Sequence, residues 1–315
     1  MRVESNVILS PKVTGGVLLG VIGVVGFSFS LPATRLAVAG LDPWFVSFGR
    51  AVGAGLLAIG YLLLIGAARP SPSQLRRLGA VVLGIVIGFP TFTSLALVTE
   101  TSAHGAVVIA CLPMATAVWA VVRAGERPRA GFWLASSLGM VTVLGFIAAT
   151  GGLSGGLNNA DLFLLAAVVL CGLGYAEGGA LSREIGGPQT VCWALVLALP
   201  LTVPVTALVA AQTGFSGVSG SAWLGFAYVT TVSMFLGFFA WYAGLARGGV
   251  ARVGQVQLMQ PLLTLGWSVL LLGEHVGPMT LVAAVAVVAC VVWTQRARVQ
   301  AAPSVREEVL VSGRE

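Results

Sequence analysis

The sequence predicts an all-α integral membrane protein of ten transmembrane helices, arranged as two inverted five-helix repeats. Three observations carry this expectation. The chain is starved of charge, its apolar stretches are long enough to span a bilayer, and its second half repeats its first at a fixed offset. Of 315 residues, 57% are hydrophobic and 9% charged. A soluble domain carries roughly a quarter charged residues, so this chain lacks the polar surface to stay dissolved in water.

A bilayer core of about 30 Å takes ~20 helical residues. Ten stretches meet or approach that length, at 13–34, 44–66, 79–98, 104–123, 131–150, 161–182, 189–211, 221–245, 252–272 and 277–295. They are continuously apolar rather than alternating, which argues against a β-barrel. A basic residue precedes the first stretch, as in a signal peptide. The stretch is long and has no persuasive small-x-small cleavage site, so it reads as a retained helix.

The net charge of +6 follows the loops. Arg2 and Lys12 precede the first helix. Arg69, Arg76 and Arg77 follow the second, Arg123, Arg127 and Arg129 the fourth, Arg183 the sixth, and Arg247 and Arg252 the eighth. Arg296, Arg298, Arg306 and Arg314 follow the tenth. In the alternate loops only Arg35 appears, and the stretches around Gly155 and Gly217 are uncharged. The positive-inside rule then places both termini in the cytoplasm, and a bacterial inner membrane is the expected location. The basic excess is accounted for by topology, so no nucleic-acid partner is expected. Cys111, Cys171, Cys192 and Cys290 lie in separate spans without metal spacing and read as small buried hydrophobes. No cofactor or metal is expected.

The repeat is seen best in the fourth and ninth segments. AVVIACLPMATAVWAVVRAGERP begins at Ala106, and GQVQLMQPLLTLGWSVLLLGEHV begins at Gly254. At an offset of 148, Pro113 falls on Pro261, Trp119 on Trp267, Gly125 on Gly273 and Glu126 on Glu274. Ala103 also meets Ala251, Arg35 meets Arg183, and Pro43 meets Pro188 after a small gap. The chain therefore divides into an N-terminal segment 1–12, repeats 13–150 and 161–295, and a polar tail 296–315. Five helices is an odd number, so the second copy enters the membrane from the opposite side. Inverted repeats of this kind build many secondary transporters, with the site at the repeat interface near the midplane.

The ordered motifs resemble the drug/metabolite transporter superfamily, EamA type. They are Pro32-Ala33-Thr34-Arg35-Leu36 ending the first helix, Thr101-Ser102-Ala103 before the fourth and Leu245-Ala246-Arg247 before the ninth. The mid-helix prolines followed by Ala124-Gly125-Glu126-Arg127-Pro128 and Leu272-Gly273-Glu274 complete them. The resemblance covers about residues 13–295. It implies a ten-helix exporter of amino acids or other metabolites, with aromatic amino-acid exporters as one subgroup and drug or cation efflux as the alternative. One chain holding both halves suffices, so a monomer in the lipid bilayer with a small-molecule substrate is expected.

Polar groups inside a bilayer are costly and mark candidate sites. Gln257 and Gln260 share a helical face with Pro261, and their repeat mates Ile109 and Leu112 are apolar. They read either as substrate ligands or as interhelical glue worth about 0.6–2 kcal/mol each. Gln255 lies just before them. Phe235, Phe238, Phe239 and Tyr242 form a stripe on the eighth helix, with Phe239 and Tyr242 as cavity candidates and packing as the alternative. Glu177, with Tyr175 nearby, is a membrane-embedded carboxylate that either serves the substrate or a proton, or pairs with Arg183. Arg50, two turns into the second helix, either meets a substrate carboxylate or pairs with loop carbonyls, Glu100 or Glu274. Gly16, Gly20 and Gly23, and Gly174 and Gly178, are small faces that let helices approach.

Two other classes find little support. A membrane enzyme needs a nucleophile, a base or a metal cluster, and His104 and His275 sit in no such pattern. A channel or sensor finds no receptor head in the short loops. With no GxxxxGK[ST] motif, the energy for transport must come from a gradient.

Overall fold

The computed structural model describes residues 11–124, 130–150, 158–248 and 255–299, and among these there is no strand. Seven apolar helical segments are long enough to cross a membrane. These are α1 (Thr14–Val38), α2 (Pro43–Leu64), α3 (Pro72–Ala96), α4 (Ser102–Val122), α6 (Asn159–Ile185), α7 (Gly187–Thr213) and α8 (Gly220–Gly244). Among the described residues three shorter apolar helices accompany them, α5 (Ala130–Phe146), α9 (Val256–Leu272) and α10 (Pro278–Trp293). Their surfaces are apolar outward as well as inward. Leu64, Leu224 and Leu270 are 88%, 73% and 76% exposed, a distribution that suits lipid and not water.

Local chemistry sets where the helices begin. Asp42 caps α2 by accepting from the backbone of Trp44 at 2.8 Å and Phe45 at 3.2 Å, with Pro43 in the first turn, where its missing N–H costs nothing. Ser71 with Gln74, and Asn158 with Asp161, form capping boxes at α3 and α6. Thr101 and Ser219 cap α4 and α8 through the N–H groups of His104 and Ala222. Arg35 closes the far end of α3 by donating to the carbonyls of Leu97 and Val98.

Packing pairs the first five helices with the last five. α1 lies along α8, and α3 along α6. α2 packs on α7, α4 on α9 and α5 on α10, while α6 touches α4 and α1 touches α9. Glycines set the closest approaches. Gly84 of α3 faces the backbone of Leu170 and Gly174 on α6. Gly244 of α8 faces Gly16 and Gly20 on α1, and Gly23 of α1 faces the backbone of Trp241. The small faces read from the sequence on α1 and at Gly174 thus sit at helix crossings.

Irregular backbone recurs at matching places. α3 and α8 each contain a π-helical stretch, Val82–Gly88 and Val229–Leu236. α4 breaks between Ile109 and Leu112, and α9 opens with a 3₁₀ turn at Gln255–Met259. After the breaks in α4 and α9 the α-helix resumes with proline as its second residue, Pro113 and Pro261. Proline is harmless there, because the first turn has no backbone partner for its N–H. Trp119 on α4 donates its indole N–H to the Val169 carbonyl of α6 at 2.9 Å. Its repeat mate Trp267 on α9 donates to the Ser28 hydroxyl of α1 at 3.0 Å.

Candidate functional site

The irregular stretches of α3, α4, α8 and α9 surround the interior of the bundle. A cavity there is lined by Phe27, Ser30 and Leu31 of α1, Arg50 of α2, Ile85 and Phe89 of α3, and Ile109 and Leu112 of α4. Cys171 and Tyr175 of α6, Ser233, Met234 and Phe238 of α8, and Gln260 of α9 complete its wall. The empty space between these walls is about 470 Å³, its mouth included. A second cavity, about 380 Å³ with its mouth, runs between α4 and α9 past Gln257, Gln260, Pro261 and Thr264. Gln260 borders both.

Backbone geometry explains why polar groups gather there. The 3₁₀ turn at Gln255–Met259 interrupts the regular ladder of α9 just before Pro261, and polar side chains gather around the break. Thr264 donates to the Ser28 carbonyl at 2.7 Å and is also within reach of the Gln260 carbonyl. On the facing side, the Ser30 and Ser233 hydroxyls hydrogen-bond to one another at 2.7 Å, linking α1 to α8. Ser233 also accepts from Arg50 Nη2 at 3.1 Å. Arg50 is 2% exposed, and among the described residues its Nε and Nη1 have no hydrogen-bond partner; nor has Gln260 Oε1.

Among the described residues Arg50 takes none of the structural partners foreseen for it, the loop carbonyls, Glu100 and Glu274. Glu100 accepts from the Asn158 side chain at 2.8 Å. Glu274 accepts from the Ser102 N–H, the Ser102 hydroxyl and the Ala103 N–H, each at 2.9 Å. It thereby caps α4 from the far end of α9. Gly273 makes the turn at φ +63°. Its repeat mates Gly125 and Glu126 lie outside the described residues, as does the side chain of Gln255.

Of the other residues singled out in the sequence, Tyr175 and Gln260 line the same cavity as Arg50, and Gln257 lines the adjoining one. Glu177, Phe239 and Tyr242 line neither. Glu177, 4% exposed, meets Arg77 Nε at 3.1 Å, and Arg77 Nη1 reaches Glu184 at 2.5 Å. The partner foreseen in sequence, Arg183, is not the cation in this clasp, which joins α3 to α6. The aromatic stripe of α8 splits along its two edges. Phe238 turns inward against Phe27 and Tyr175, with ring centroids 4.9 Å and 6.1 Å away. Phe239 meets Tyr61 edge-on and Phe235 at a tilt, with ring centroids 4.6 Å away in each pair. Tyr242 is buried with its hydroxyl against Gly178 and, among the described residues, without a hydrogen-bond partner.

Ser30, Ser233 and Phe27 line the cavity with Arg50 and carry no mark in the sequence. Serine is common in membrane helices, and only the approach of α1 to α8 makes this pair a polar feature. Among the described residues no group of His, Cys, Asp and Glu has metal-binding geometry. At the bundle end opposite the Arg77 clasp, His104 Nε2 meets Asp161 at 2.7 Å and ties α4 to α6.

A family model described as the EamA-like transporter family matches the chain twice, over residues 14–148 and 158–295. A Bacillus subtilis (strain 168) protein described as the uncharacterized transporter YdeK is 47% identical over 285 residues, covering 90% of this chain and 98% of the relative. A crystal structure described simply as that of a protein superposes with a TM-score of 0.60 at 18% identity. The match covers 91% of this chain and 98% of that one, and at this identity it speaks for the fold.

Proposed function

Because the chain belongs to the EamA-like transporter family, and is thus a membrane transporter and not an enzyme, we propose that it exports amino acids or related small metabolites by alternating access. The carrier is read as ten transmembrane helices in two inverted repeats, 13–150 and 161–295, with both termini in the cytoplasm. Several features support the repeat. The family model matches each half separately, the helix pairs exchange consistently between halves, and the π-helical stretches fall at equivalent positions. Two like halves can pack in two related arrangements, one open to each side of the membrane.

The single observation that carries the site is the cavity where α1 and α2 of the first half meet α6, α8 and α9 of the second. Arg50, Tyr175 and Gln260 on its wall, with Gln257 in the adjoining cavity, are the proposed substrate ligands. Phe239, Tyr242 and Glu177 act behind them, holding α8 and the Arg77 clasp. Uptake of labelled amino acids and related metabolites into proteoliposomes tests this reading. Saturable uptake of one class, lost on Gln257→Ala and Gln260→Ala in folded protein, is the expected result. Saturable uptake untouched by both changes moves the site elsewhere, and saturable uptake confined to organic cations favours the efflux alternative.

A further inference from the structure

Resting on the carrier reading above, we infer that Arg50 is the docking point for a substrate carboxylate, and that the transported species is a small organic monoanion with an apolar body and a neutral hydrogen-bond donor. A guanidinium buried in a membrane bundle is expensive and is retained where a partner repays it. The described protein supplies no anion to this one. Its six described acids are engaged elsewhere: Asp42 on its own helix, Glu100 on Asn158, Asp161 on His104, Glu177 and Glu184 on Arg77, and Glu274 on Ser102. No acidic side chain lines either cavity among the described residues.

The bonding of the guanidinium says what fits. It offers five N–H groups along two edges, and Nη2 contributes one proton to each edge. Ser233 takes a single contact, from Nη2. Whichever edge that contact occupies, the other edge keeps both of its N–H groups. Two parallel N–H groups match the two oxygens of a carboxylate. The Ser30–Ser233 pair holds Nη2, so the free edge is oriented before the ligand arrives. Gln260 Oε1, an acceptor without a partner on the same wall, asks for an O–H or N–H near the carboxylate. Phe27, Phe89, Tyr175 and Phe238 offer an apolar, aromatic surface to the rest of the molecule. An ammonium group finds no countercharge there and feels the Arg50 charge. A hydroxy acid is therefore favoured over the zwitterionic amino acid, and a cation is excluded.

Four matched probes test this on the full-length protein in detergent and in proteoliposomes: 3-phenyllactate, phenylalanine, phenylalaninamide and 2-phenylethylamine, with lactate and 2-hydroxyisocaproate as smaller acids. Binding is read by calorimetry and thermal shift, and transport by uptake of the labelled probes. The expected order is phenyllactate, then phenylalanine, with the amide and amine at least roughly 10-fold weaker, the range for hydrogen bonds to a charged group. Arg50→Gln removes the acid-over-amide preference, and Arg50→Lys restores it in part, because lysine keeps the charge but not the fork. If Arg50→Gln does not fold, the wild-type probe order and Ser233→Ala, expected to weaken acids and spare amides, decide the matter. An amide or amine that binds as tightly as its acid overturns the proposal, as does an Arg50→Gln protein with unchanged acid affinity, or failure of every acid to bind. In those cases saturable uptake of another class leaves the carrier reading standing, and absence of saturable uptake in any charge class brings it down as well.

Discussion

Adding one methyl group at Gly84 should separate α3 from α6. An ideal Cβ there would sit against the Leu170 carbonyl oxygen, 2.7 Å from Gly174 N and 2.8 Å from Gly174 Cα. All three obstacles are backbone atoms, so no side-chain rotamer relieves the clash. The helices must move apart by an appreciable fraction of an ångström, losing packing along the crossing. Overpacking of a tight interior costs about 1–3 kcal/mol, and backbone obstacles put this case at the upper end. Gly244→Ala should behave alike on the paired crossing, since its Cβ would lie 2.7 Å from Gly20 N and 2.9 Å from the Gly16 carbonyl. Gly79→Ala is the control. It sits in the same membrane segment as Gly84, is exposed, and meets nothing within 4 Å. There alanine should be neutral or stabilise by up to about 1 kcal/mol, because glycine is the poorer helix former. Thermal unfolding in detergent reads the difference. At about 2–4 °C per kcal/mol for chains of this order of size, Gly84→Ala should lose several degrees and Gly79→Ala none. Equal melting temperatures for the three variants and the wild type would refute the claim that these glycines set the crossings.

Glu274→Ala removes three hydrogen bonds that cap α4; a loss of about 2–3 kcal/mol is expected from charge-assisted bonds of this kind, seen as a lower melting temperature, while Glu274→Gln should recover part of it. Gly273→Ala places a side chain at φ +63° and should cost about 1–2 kcal/mol by the same assay. Glu177→Gln loosens the clasp to Arg77 and should lower stability, yet keep the wild-type pH profile of transport, because Glu177 does not line the cavity; a flattened profile would place it on a proton path instead.

The membrane architecture is legible in the sequence because lipid imposes so simple a rule. Long apolar stretches suffice to locate the helices, and the Pro113–Pro261 and Trp119–Trp267 matches join the two stretches, 14–148 and 158–295, that the family model matches separately. Arg50, Tyr175 and Gln260 stand out for the same reason, since a polar group in an apolar stretch requires an explanation. Pairings are another matter. Glu177 lies near Arg183 in sequence but binds Arg77, which only the packing of α3 on α6 brings close. The α8 stripe shows four aromatics on one broad face, and no periodicity says that α1 and α6 take Phe238 while α2 takes Phe239. Ser30 and Ser233 become a site feature through a contact spanning 203 residues.

Counterflow tests the central claim most directly. Liposomes containing the purified protein are loaded with unlabelled substrate and diluted into labelled substrate at low concentration. A carrier that exposes one cavity alternately to each side should accumulate label transiently above the outside concentration, with a rate that saturates and falls when Gln260 is replaced by alanine. Flux that rises linearly with concentration and ignores the internal substrate would mean an open pathway, and would contradict alternating access.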